Sequence, residues 1–242
     1  MPDIAGAKVR FGVVWFAAAA SAAAWSRPAL GALMAVAAAA ATDEVTRTHL
    51  GARRWPIAVA GAVLPLAALG GSRGLLAGAA GVCGLVALSR LLLKSPVRAI
   101  EELAVGITAA LAVGLAAASP VLVSRLGPAA AVTMVVLVSA YEVGDFLVGT
   151  GASTPWEGPM AGIVAVAVCA FAAWVLDVAP LDQDGVVVLA AAVALLAPIG
   201  PPLGSVLLGS ASRPGRYVRR LDTLLVAGPV AAWLVAEHLR AI

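Results

Sequence analysis

The chain has 242 residues, 62% of them hydrophobic and only 12% charged, with 16 Lys and Arg against 13 Asp and Glu for a net charge of +3. Soluble domains carry about 25% charged residues, so this composition excludes an ordinary water-soluble domain. The basic residues lie in short segments between apolar runs, which is the positive-inside pattern of a membrane protein and not a nucleic-acid footprint.

Repeated apolar runs predict an all-α, polytopic integral membrane protein, because only helices or closed barrels satisfy their backbone in lipid. One transmembrane domain fills residues 1–242: a helical hairpin plus basic loop over 1–55, then the remaining helices over 56–242. Lys8 and Arg10 ahead of an apolar run, with the Ala- and Ser-rich residues 20–24, have signal-peptide grammar. Another apolar segment follows at once, so this stretch reads as the first membrane helix.

Nine apolar segments are predicted in order. The first two, about 11–25 and 28–42, form a tight hairpin around Ser26, Arg27 and Pro28. Both are short for a bilayer, which asks for about 20 residues, so they either span a thin region or extend into their flanks. A polar stretch follows from Thr42 to Pro56. Segments three and four, about 56–70 and 74–89, are split by Gly70, Gly71, Ser72 and Arg73. A basic loop with Arg90, Lys94 and Arg98 leads to segment five, about 101–118, which opens with Glu101 and Glu102 at the positive end of a helix. Segments six, about 129–149, and seven, about 159–177, flank a Gly-rich loop. Segment eight, about 186–209, is broken at Pro198 to Pro202, and segment nine covers about 221–238. With the N-terminus inside, 12 of the 16 Lys and Arg fall on the cytoplasmic side, and Arg27, Arg73, Arg125 and Arg240 outside. That bias predicts nine crossings with the C-terminus out.

Chemistry concentrates between Ser139 and Gly162 and again between Arg213 and Asp222. Glu142 and Asp145 share one face of segment six. A carboxylate inside a membrane helix is costly unless it is paired, hydrated or bound to a cation. The pair reads either as part of a divalent-metal site, since Mg²⁺ favours one or two carboxylates plus substrate phosphates, or as acids paired for packing. Arg213, Arg216, Arg219 and Arg220 can meet phosphates or serve as plain positive-inside charges. Asp222 can cap the last helix or bind metal. Cys83 and Cys169 stand singly in apolar runs, as small core residues do. His49 and His238 are isolated, so a His-based metal site is not expected.

Taken together, these motifs resemble the phosphatidate cytidylyltransferase (CDP-diacylglycerol synthase) family. Tyr141 to Gly149 is similar to the family's N/A-D-[ST]-x-A/G-Y-x-x-G stretch, with Glu142 at the acidic position. Ser153 to Gly158 resembles a shortened S-P-K-K-T-W-E-G that keeps Ser153, Trp156, Glu157 and Gly158. Gly200 to Ser205 falls at G-D-x-x-E-S. Pro214-Gly215, Arg219 to Leu225 and Gly228 to Val230 resemble P-G-H-G-G, D-R-x-D-S-L-L and A-P-V. The departures are specific: the lysines of the second motif are absent, Pro201 and Gly204 replace the acids of the third, the H-G-G is missing, and Arg219 stands where an Asp belongs.

The resemblance implies attack by a phosphatidate oxygen on the α-phosphorus of CTP, with pyrophosphate leaving and CDP-diacylglycerol forming. It implies Mg²⁺ held by Glu142, Asp145 and Asp222, which would be the catalytic and metal-binding set. Arg216 and Arg220 would meet phosphates, and Ser153, Trp156 and Glu157 would shape the nucleotide loop. The implied partners are CTP and phosphatidate or another anionic lipid, in the cell inner (plasma) membrane, with a homodimer left open. Two other readings stay open: a non-catalytic homologue that binds an anionic lipid or a partner membrane protein, and a small transporter, since a Pro- and Gly-broken helix opposite buried acids is also transporter grammar.

Overall fold

The computed structural model describes residues 4–51, 54–93, 99–213 and 215–241, and every regular element among them is helical. Arg53, Lys94 and Arg98 of the basic loops and Pro214 of the Pro-Gly motif lie outside the described residues. Six stretches are long and apolar enough to cross a bilayer: Arg27–Leu50, Trp55–Leu91, Ala99–Val123, Pro128–Gly149, Glu157–Val175 and Gln183–Leu207. The chain is thus an all-helical protein built for a membrane.

Helices α1 (Ile4–Trp25) and α2 (Arg27–Leu50) are separated by one residue, Ser26. Its hydroxyl accepts the Ala29 N–H at 3.2 Å, and Pro28 fills the first turn, a favourable helix start. The second segment extends into its flank as far as Leu50, so most of the polar stretch after Thr42 is helix. Asp43 pairs with Arg47 one turn on, and the Thr46 hydroxyl donates to the Thr42 carbonyl at 2.9 Å. Thr42, Asp43, Val45 and Thr46 are buried, so packing holds this turn in place. Gly51, at φ 69°, ends it.

Helix α3 (Trp55–Ala67) runs into a 3-10 turn (Ala68–Gly70), and Gly71 reverses the chain at φ 76°. Helix α4 (Gly71–Leu93) then folds back along α3, with Gly74 and Gly78 against Ala67 and Gly81 against Val63. Helix α5 (Ala99–Val123) lies at the centre, against α2, α3 and α4. Its Ala109, Ala110, Val113, Ala116 and Ala117 are fully buried. Such small side chains let helix axes approach where lipid supplies little hydrophobic driving force. Glu102 does more than suit a helix N-terminus. It is 3% exposed and bridges Arg54 at 2.9 Å and Arg90 at 2.6 Å, tying the start of α3 and the end of α4 to α5.

Helices α6 (Pro128–Gly149) and α7 (Glu157–Val175) form a tightly packed pair. Gly144 presses on the Ala161 backbone, and Gly162 on the Tyr141 ring. Helix α8 (Gln183–Leu196) starts at Asp182, whose carboxylate accepts the Gly185 N–H at 2.7 Å. A 3-10 turn (Ala197–Ile199) links it to α9 (Gly200–Leu207), so the expected break at Pro198 to Pro202 is present. A third 3-10 turn (Val218–Arg220) precedes α10 (Leu224–Ala241), which packs on α5 and α8.

The α6–α7 contact generates a paired prediction. A Cβ on Gly162 would stand 2.7 Å from the Tyr141 ring, whereas nothing lies within 4 Å of one on Gly84 in α4. Gly162→Ala should lower stability by about 1–3 kcal/mol through overpacking. Gly84→Ala should leave it unchanged or raise it by up to about 1 kcal/mol through helix propensity. Unfolding of both variants in the same detergent checks this; equal melting would remove the steric reading of Gly162.

Candidate functional site

The polar centre forms where one end of α6 meets the start of α10. Glu142, on α6, accepts the Thr223 hydroxyl on Oε1 at 2.6 Å. Arg220 Nη1 stands 4.0 Å from its other oxygen, Oε2. The Arg220 guanidinium also lies 5.1 Å over the ring of Phe11 on α1, a cation–π geometry, and Gly12 beside it leaves room for the group. Asp222 is 5% exposed. Its Oδ1 accepts the Thr223 N–H at 2.8 Å, and its Oδ2 faces Arg219 Nη1 at 3.3 Å.

Arg219 is fixed by more than Asp222. It donates to the Pro201 carbonyl at 2.9 Å and to the Ser205 hydroxyl at 3.0 Å. Both partners belong to α9, so one guanidinium joins the broken eighth segment to the start of the last helix. Gly204 is required there: a Cβ would come within 2.8 Å of Asp222 Cβ and 3.4 Å of Arg219 Nη1.

The end of α2 sets the position of this segment. Glu44 accepts the backbone N–H groups of Arg216, Tyr217 and Val218 at 2.7, 3.0 and 3.0 Å. These N–H groups open the 3-10 turn that carries Arg219 and Arg220. His49 meets the Leu207 carbonyl at 2.8 Å, holding the end of α9 to the last turn of α2.

The structure thus brings together Glu142, Asp222 and Arg220 of the expected set. Asp145 lies one turn further along α6, against Gly149 and Gly158, and interacts electrostatically with Glu142. Ser153 and Glu157 form a local unit of their own. The Glu157 carboxylate accepts the Ser153 hydroxyl at 2.6 Å and the Thr154 N–H at 3.0 Å, closing the loop in the manner of a capping box. Trp156 is 73% exposed. The Arg216 side chain is exposed, and its backbone is held by Glu44. Among the described residues, no three His, Cys, Asp or Glu side chains gather as a ligand set for one ion. Ser139, Glu142 and Arg220 line a cavity of about 20 Å³ walled by Trp15, Met34 and Leu224, room for about one water.

Thr223, Ser205, Phe11 and the bonding of Glu44 were not among the expected site residues. Thr223 follows Asp222 directly, which is a weak signal; for Phe11 nothing in the sequence distinguishes it from other lipid-facing residues. No protein-family model matches the chain, and no curated protein matches its sequence.

Arg219→Ala would leave Asp222 and two α9 acceptors without their donor. Breaking such a largely buried pair should cost about 3 kcal/mol or more. Arg219→Lys should recover part of that, since an ammonium keeps the charge but not the fork of donors. Unfolding in detergent micelles measures both; wild-type stability of Arg219→Ala would mean the guanidinium does not tie α9 to α10.

Proposed function

We propose that the chain is a non-catalytic relative of the phosphatidate cytidylyltransferases, whose arginine-rich end binds the phosphate of an anionic phospholipid such as phosphatidate. The observation that carries this reading is that the acids of its motifs are engaged inside the chain. Glu142 is met by Thr223 and Arg220, Asp222 by Arg219 and the Thr223 N–H, and Glu157 by its own loop. Nucleotidyl transfer needs cationic groups and metal on the transferring and leaving oxygens. Here the motif lysines are absent, and the acids already have partners.

Lipid binding is supported by what surrounds that network. Arg10, Arg213 and Arg216 are exposed at this end of the molecule. Beside Arg220, residues Val9, Phe11, Val13 and Val14 of α1 offer an exposed apolar surface. Cations next to such a surface attract anionic headgroups, by about 1 kcal/mol for each Lys or Arg near the membrane.

The proposed setting is the cell inner (plasma) membrane, with nine crossings and the N-terminus inside. The fold-back of α4 on α3 supports nine crossings. So does the grouping of chain ends: the end of α2 meets residues 207–218, while Arg125 meets the Leu69 carbonyl and His238 meets Asp182. The Lys and Arg bias supports the orientation. In a chain with Cys83 and Cys169 replaced by Ala, Asp184→Cys should react with an impermeant thiol reagent from outside, and Ser212→Cys only after the membrane is opened. The reverse pattern would overturn the orientation.

Two assays on the purified protein test the function. With radiolabelled CTP, phosphatidate and Mg²⁺, no labelled lipid should form while an active cytidylyltransferase alongside makes it. Product lost in Asp222→Ala would overturn the non-catalytic reading. Short-chain phosphatidate should raise the melting temperature more than short-chain phosphatidylcholine, and the double variant Arg213→Ala/Arg216→Ala should reduce that difference. Equal shifts with both lipids would remove the lipid-binding reading.

A further inference from the structure

The fit of a divalent ion to the polar centre can be judged from its donors. Mg²⁺ takes near-octahedral oxygen ligands and keeps several waters, so each carboxylate must present a lone pair toward open space. Glu142 faces only a cavity of about 20 Å³, room for about one water and not for a hydrated ion, and Asp222 is buried. One oxygen of each receives a short hydrogen bond from Thr223, through the hydroxyl at 2.6 Å and the N–H at 2.8 Å. The second oxygen of each faces a guanidinium, Arg220 at 4.0 Å and Arg219 at 3.3 Å. The Arg219 guanidinium is itself anchored by Pro201 and Ser205, and that of Arg220 is seated over Phe11. These are built positions, and the acids as they stand do not fit a metal ion.

The geometry points to Arg219 and Arg220 as resident cations. The two guanidinium groups neutralise the acid pair in place of a divalent ion, and they mask what would otherwise be a cation site formed by Glu142 and Asp222. The wild-type centre is therefore metal-independent, and removing one guanidinium opens it to a divalent cation. This inference concerns the charge balance of the centre and stands apart from the lipid-binding reading, which rests on the exposed arginines.

The test is Mn²⁺ binding to the purified full-length protein in detergent, followed by the loss of the free-ion electron paramagnetic resonance signal. Wild type should show no stoichiometric site tighter than about 1 mM, the weak end of biological divalent-cation sites. Arg220→Gln or Arg219→Gln should gain a site about tenfold tighter or more, and Asp222→Asn added to either should abolish the gain. Arg220→Gln leaves the α9 anchor intact, so the test survives a poorly folded Arg219 variant. A wild-type site that Asp222→Asn removes would overturn the inference. So would a folded Arg220→Gln protein that binds no more Mn²⁺ than wild type. Phosphatidate binding is read separately, so loss of one reading is distinguishable from loss of the other.

Discussion

A carboxylate inside an apolar helical bundle has to find its counter-charge within the bundle, because lipid offers none. Glu142 and Asp222 meet this demand through adjacent residues, Arg219, Arg220 and Thr223. The local geometry follows from that pairing. Arg219 reaches back to α9 and on to Asp222, while Arg220 reaches sideways to α6 and α1, so three helices converge on the 3-10 turn before α10. Two unit charges 4 Å apart interact by about 4 kcal/mol at an effective dielectric of 20, and a dication beside a guanidinium would be repelled by about twice that. The arginines and a metal ion are therefore competitors for the same oxygens.

This convergence depends on a distant acid. Glu44 gathers three successive N–H groups 172 to 174 residues away in the chain. A carboxylate accepting backbone N–H groups makes charge-assisted hydrogen bonds, roughly twice as strong as neutral ones. Losing Glu44 would free the turn that aims both arginines. The helical extension of α2 to Leu50 is what carries Glu44 and His49 to that place. The packed Asp43–Arg47 turn therefore has a consequence for the site as well as for the helix.

Much of the fold was legible from apolar run length alone. The described residues are all-helical, with six stretches long and apolar enough to cross a bilayer, and the break at Pro198 to Pro202 and the reversal at Gly70 and Gly71 stand where proline and glycine placed them. The extent of α2 was less legible, because Thr42, Asp43, Glu44 and Arg47 look like loop residues until burial and one-turn pairing are known. The site was legible as two polar clusters, and Glu142 and Asp222 do meet through Thr223. The partners of each acid were not legible. Hydrogen bonds from Arg219 to Ser205 and Pro201, or the seat of Arg220 on Phe11, depend on how separate helices cross, and no local pattern encodes that. Glu102 illustrates the same limit: its position suited a helix N-terminus, but Arg54 ahead of α3 and Arg90 of α4 engage it.

Gly204 and Arg219 are best understood as one feature. A Cβ at position 204 would lie 2.8 Å from Asp222 Cβ, too close to fit, and 3.4 Å from Arg219 Nη1, in contact with it, so a side chain on 204 would displace Asp222 first. An acid at 204 would add negative charge beside Asp222 and call for an external cation; glycine there admits an internal one. Ser205 and the Pro201 carbonyl then become its anchors. An acid at 204 would press on Asp222 and set a like charge beside it, and an acid at 219 would leave Asp222 without its guanidinium partner. It is therefore the guanidinium, and not the glycine, that has to go before a divalent ion can enter this centre.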